Sequence, residues 1–173
     1  MTRWLTVGCA VVLLVVIGRS VLVNVESSHA RKTENTGLTW NRYDRGLVLA
    51  KQQNKHVLID FYTDWCGWCK TMDEKTYGDK SIQAILTSKF VLVKVNAESK
   101  QTVQVNGKTV TEAQVAAMYR VNGYPMTWFL DPDGKAVSPV SGYVPPDEFS
   151  PILTYVGDGW YKRMKFEQFV KRQ

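Results

Sequence analysis

Apolar residues fall along the chain in distinct patterns, each of which predicts a different element. From Trp4 to Gly18 they are almost continuous, centred on Val11-Val12-Leu13-Leu14-Val15-Val16-Ile17. From Tyr43 to Gln53 they recur at helical spacing through Tyr43, Leu47 and Ala50, predicting an amphipathic helix despite Gly46, which costs about 1 kcal/mol relative to alanine. Val57-Leu58-Ile59-Asp60-Phe61-Tyr62 and Phe90-Val91-Leu92-Val93-Lys94-Val95-Asn96 are short runs typical of strands buried on both faces. A helix is expected to follow the first of them from Cys66, and a strand–helix–strand unit makes the two strands parallel with a right-handed crossover.

Further along, Asn106-Gly107 lies between alternating residues in Gln101 to Val110, the signal of a hairpin set apart from the main sheet. Thr111 and Gln114 have capping-box spacing for a helix running to about Arg120. Met126 to Leu130 reads as a strand that the turn Asp131-Pro132-Asp133-Gly134 reverses into Ala136 to Val140. A last helix starts near Pro146 or Asp147, its beginning blurred by Pro151. From Gly159 to Gln173 the chain carries Trp160, Tyr161, Met164, Phe166 and Phe169, enough to dock a short helical segment. The succession of elements is that of an α/β protein.

The amino-terminal run is an address. Residues 1–30 form a signal peptide, for which Ser28-His29-Ala30 supplies a small-residue cleavage site, or an uncleaved anchor. Trp4 to Val25 is long enough to cross a bilayer, with Arg19 inside it. Both readings send the rest of the chain to the periplasm or another extracytoplasmic face, with membrane contact only through residues 4–25. The polar stretch 31–39 is expected to be a mobile linker, 40–157 the folded domain and 158–173 a helical extension.

Charge narrows the function. The net +6 comes from 22 basic and 16 acidic residues spread along the chain, without the clustered tract of a nucleic-acid footprint. Three cysteines are too few for a disulfide-stapled scaffold, and Cys9 lies in the apolar leader.

Cys66 and Cys69 carry the chemistry. If Cys66 opens a helix, the i, i+3 spacing stacks the two sulfurs, so they can close a disulfide with little backbone movement. A thiolate at a helix amino terminus is stabilised, which makes Cys66 the nucleophile and Cys69, one turn inside and expected to be more buried, the resolving thiol. Metal binding and a purely structural disulfide are the competing readings. No second half of a zinc site accompanies the pair, since His29 and His56 repeat no ligand spacing. Asp60, inside an apolar strand, faces desolvation that raises its pKa and fits it to take the proton of Cys69. Lys94 occupies the comparable interior position on the next strand and would tune Asp60; a buried ion pair is the structural alternative for both. Pro125 precedes a strand, a conflict that a cis Tyr124-Pro125 bond resolves.

Together these residues resemble the thioredoxin family. Asp60-Phe61-Tyr62, Trp65-Cys66-Gly67-Trp68-Cys69-Lys70, Lys94-Val95-Asn96, Gly123-Tyr124-Pro125 and Gly142 stand in the order of its buried acid, active site, paired lysine, cis-proline loop and late glycine. The resemblance covers Trp40 to Val156 and implies a thioredoxin fold, a central mixed sheet flanked by helices, with a cis Tyr124-Pro125 bond facing the cysteines and substrate backbone pairing beside Tyr124. The leader and the insertion before Pro125 are similar to the envelope subset, which includes the periplasmic carboxy-terminal domain of the thiol–disulfide interchange transporter. Trp68 stands in place of the proline common between thioredoxin cysteines, Met126 in place of a threonine, and no proline follows Lys70 to kink the helix.

The expected activity is dithiol–disulfide exchange with protein thiols and disulfides, recharged by an upstream electron donor, with no metal or organic cofactor. Trp65, Gly67, Trp68 and Tyr124 are the expected substrate-contacting positions, with Tyr143 a further candidate for the rim. Reduction or isomerisation is expected over primary oxidation, because Gly67-Trp68 puts no cation between the cysteines. The alternative is a binding, scaffold or metal-carrier module whose cysteines are not catalytic.

Overall fold

In the computed structural model, residues 31–32 and 37–172 are described; the leader at 1–30 lies outside them. Among the described residues no helix is long and apolar enough to cross a membrane.

The strands are β1 (Arg31–Lys32), β2 (Thr39–Asn41), β3 (His56–Tyr62), β4 (Phe90–Asn96), β5 (Thr102–Val105), β6 (Lys108–Thr111), β7 (Met126–Leu130) and β8 (Ala136–Ser141). The α-helices are α1 (Tyr43–Gln53), α2 (Gly67–Thr71), α3 (Lys80–Lys89), α4 (Glu112–Met118), α5 (Pro146–Gly157) and α6 (Phe166–Val170). The main sheet has the order β1-β2-β4-β3-β7-β8, and β5-β6 is a separate hairpin. β2, β4 and β3 are mutually parallel, while β1, β7 and β8 run antiparallel to their neighbours. This is the expected mixed sheet. It begins earlier than Trp40: within the stretch expected to be a linker, Arg31–Lys32 pairs with Thr39 and Trp40, and Leu38 is buried.

Strand alternation divides the core in two. Val57, Ile59 and Phe61 of β3 face α1 and α4, packing with Tyr43, Ala50 and Val115. Leu58 faces the other layer, with Met72, Tyr77, Ile82, Leu86, Phe149 and Leu153. Asp60, two residues on from Leu58, therefore belongs to the face covered by the active-site helix. Gly46 of α1 is there for proximity: a Cβ on it would stand 2.1 Å from Val93 Cγ2, so its absence sets how closely α1 packs on β4.

The helix expected to run on from Cys66 is short. It gives way to a π-helical turn at Met72–Thr76, and a separate α3 begins after Asp79, whose carboxylate accepts from the amides of Ser81 and Ile82 as an N-cap. Without a proline the helix is still interrupted here, because the π turn shifts its hydrogen-bond register. The capping box forms in both directions, Thr111 Oγ1 accepting from Gln114 N and Gln114 Oε1 from Thr111 N, and α4 ends at Met118. In the hairpin turn Asn106 and Gly107 take φ of 50° and 76°. Residues after α5 pack back on the domain. Phe169 is buried at 2% exposure, and the Tyr155 hydroxyl donates to the Met164 carbonyl at 2.6 Å.

Candidate active site

The loop after β3 delivers the cysteines. Cys66 is the N-cap of α2, held by its own N–H to Thr63 O at 3.2 Å, and its sulfur accepts from Cys69 N at 3.0 Å. Cys66 and Cys69 are joined as a disulfide. Contrary to the expectation that Cys69 lies deeper, the two are equally buried, each at 4% exposure. The exposed surface around them belongs to Trp65 and Trp68, at 67% and 63%. Gly67 is exposed between them.

Each tryptophan leans on a tyrosine from another loop. The Trp65 ring meets that of Tyr124 edge-on at 5.9 Å, and Trp68 stacks on Tyr143 at 5.6 Å. The Trp65 indole N–H also donates to Glu98 Oε2 at 2.9 Å. Glu98 in turn lines a polar cavity of about 410 Å³ with Asp64, Asn96, Ser99 and Gln101. The Tyr124-Pro125 bond is cis, and Pro125 O accepts from Gly142 N at 2.8 Å. Tyr124 is half-buried and Pro125 buried.

Asp60 and Lys94 are register partners across β3 and β4, and the Lys94 ammonium lies 3.4 Å from Asp60 Oδ2. Asp60 is 2% exposed, and its Oδ1 has no hydrogen-bond partner among the described residues. Desolvation pushes its pKa up to about 6; Lys94 pulls against that shift and Asp73 adds to it. Lys94 also reaches Asp73 Oδ1 at 2.5 Å and sits 5.1 Å from the ring centroids of Trp40 and Tyr62. Burial disfavours its charge, but the carboxylates of Asp60 and Asp73 more than compensate, and its pKa is raised. The neighbouring Tyr77 phenol is driven well above its ordinary value by burial first and by Asp60 second.

Comparison with known proteins places this arrangement. Residues 43–157 match the family described as thioredoxin-like domain. The chain belongs to the thioredoxin-like family. DsbD, the thiol:disulfide interchange protein of Vibrio vulnificus (strain CMCP6), is 36% identical over 92 residues, 53% of this chain and 14% of that protein. The uncharacterized protein B0495.5 of Caenorhabditis elegans is 31% identical over 146 residues, 79% of this chain and 19% of its own length. This thioredoxin-like chain thus spans less than a fifth of these curated relatives. Among solved structures, a thioredoxin from Thermus thermophilus is 27% identical with a TM-score of 0.56, covering 68% of this chain and 85% of that one. A thioredoxin-fold protein from Helicobacter pylori shares the fold at a TM-score of 0.61 and 20% identity, covering 69% and 84%.

Within this thioredoxin-like site, two contributors escaped the sequence reading. Asp73 lies four residues beyond Cys69, where the π turn brings it to Lys94; the i, i+4 spacing from the second cysteine was the available signal. Glu98 sits just past the end of β4, and only the pairing in space reveals its bond to Trp65.

Proposed function

We propose that the chain is a thiol–disulfide oxidoreductase of the cell envelope, exchanging disulfides with protein substrates through Cys66 and Cys69 and working as a reductant or isomerase rather than a primary oxidant. The observation that carries this reading is the Cys66–Cys69 disulfide at the start of α2, with the Cys69 N–H directed at the Cys66 sulfur. In the reduced state that N–H meets a Cys66 thiolate and favours its charged form. The thiolate attacks a substrate disulfide, forming a mixed disulfide and releasing one substrate thiolate. Cys69 then attacks the Cys66 sulfur of the adduct, closing the intramolecular disulfide and releasing the second substrate sulfur. Asp60 takes the Cys69 proton in this step, a role suited to a buried carboxylate titrating at about 6. Lys94 fixes the electrostatics of Asp60, Pro125 shapes the loop beside the cysteines, and Trp65, Gly67, Trp68 and Tyr124 receive the substrate. An upstream electron donor restores the dithiol.

The likeness to DsbD, a thiol:disulfide interchange protein, supports this class of reaction. The envelope placement rests on the apolar leader at 1–30 and on that same likeness. The test is trapping in cells: Cys69→Ser is expected to accumulate mixed disulfides through Cys66, and Cys66→Ser few. Equal trapping by both variants on non-reducing gels would contradict the order of attack.

A further inference from the structure

The carboxy-terminal extension concentrates charge that the even spread of basic residues along the sequence conceals. Lys162, Arg163, Lys165, Lys171 and Arg172 put five of the chain's 22 basic residues within eleven positions. All five side chains are exposed, and among the described residues none enters an ion pair. Asp158, at the base of the segment, is already taken by Lys89, which leaves Glu167 as the acid standing among these cations.

Apolar side chains are interleaved with them. Trp160, Tyr161, Met164 and Phe166 are half-buried, and Val170 is 44% exposed. The Arg163 guanidinium lies 5.3 Å from the Trp160 ring centroid and Lys162 Nζ 5.5 Å from that of Tyr161. The segment is a fixed surface, because Phe169 anchors it in the core and His56 Nε2 meets the Tyr161 hydroxyl at 3.1 Å.

We propose that this segment docks on an anionic lipid surface, its exposed cations at the headgroups and the exposed parts of Trp160, Met164, Phe166 and Val170 at the acyl boundary. Mixed cationic and aromatic character is what an interface of charged headgroups over hydrocarbon selects. Single-stranded nucleic acid fits less well, since stacking needs free ring faces. Here Trp160 packs on Phe169 at 5.7 Å and Phe166 on Tyr155 at 5.2 Å. An acidic protein could bury the same apolar side chains, and the polyglutamate arm of the test below separates it from lipid.

The docking has a directional consequence. Tyr161 packs against His56, where β3 begins, whereas Cys66 follows the far end of that strand. A seven-residue strand separates the two by roughly 20 Å, so the docked protein holds its disulfide away from the lipid.

The test is amide hydrogen exchange of the full chain on vesicles of phosphatidylcholine alone or phosphatidylcholine with phosphatidylglycerol. Reading out only residues 160–172 separates this contact from any engagement of residues 4–25. Exchange there is expected to slow several-fold on the anionic vesicles alone, and salt should reverse the effect. The triple variant Lys162→Gln, Arg163→Gln, Lys165→Gln should need on the order of a hundredfold more anionic lipid for equal protection, at about 1 kcal/mol per cation. These side chains are exposed, and unchanged exchange elsewhere verifies the variant's fold. Equal protection on both vesicles, or none on either, overturns the proposal. So does protection by polyglutamate or single-stranded DNA matching that by anionic lipid.

Discussion

Gly46 and Asp60 show how a single position acquires its meaning from what packs against it. Read along the helix, Gly46 is a weak spot, and alanine there should gain about 1 kcal/mol. The 2.1 Å approach of Val93 Cγ2 to an added Cβ reverses the sign. Gly46→Ala is expected to destabilise by about 1–3 kcal/mol through overpacking, measured by chemical denaturation, with partial relief when combined with Val93→Ala. For Asp60, burial raises the folded pKa from 3.8 to about 6. The folded state therefore binds a proton more tightly than the unfolded chain. Its contribution is fully present below about pH 4 and is lost as pH rises through about 6. Asp60→Asn removes that loss, so its stability relative to wild type should increase by a few kcal/mol between pH 4 and pH 7. A difference that is flat across this window, in denaturation at a series of pH values, would refute the assignment.

At the scale of elements, legibility followed the range of the forces involved. The helix at Tyr43–Gln53, the apolar strands and the Thr111/Gln114 capping box are written in local periodicity and side-chain spacing, and they appear where that spacing puts them. The π turn after α2 and the separate α3 are what bury Met72, Tyr77 and Ile82 together: these residues stand five apart, about 140° around a continuous α-helix, and that spacing was the signal of a break. The α2 amino terminus carries the direction of the chemistry. On the proposed function, Gly67 and Trp68 place no cation between the cysteines, so the reduced pair gains no charge stabilisation from them and is expected to be a good electron donor. Equilibration with glutathione buffers is expected to place the Cys66–Cys69 couple on the reducing side of about −180 mV, toward the roughly −270 mV of thioredoxin. A value near the roughly −120 mV of strong oxidants would defeat the directional claim.

For the whole molecule, the order of motifs along the chain announced the fold, since Asp60, Cys66, Cys69, Lys94 and Pro125 are brought together by one sheet and the loops at its end. The Asp73 and Glu98 contacts come from the same assembly but left no mark in local pattern, as each depends on a partner more than twenty residues away. The central claim is that the Cys66–Cys69 dithiol drives protein disulfide exchange. It is tested most directly by insulin reduction by the full chain, with dithiothreitol recycling the dithiol. The account predicts that wild type precipitates insulin chains well ahead of dithiothreitol alone and that Cys66→Ser falls to the uncatalysed rate. A wild-type rate equal to that of dithiothreitol alone, or a Cys66→Ser rate equal to wild type, would contradict it.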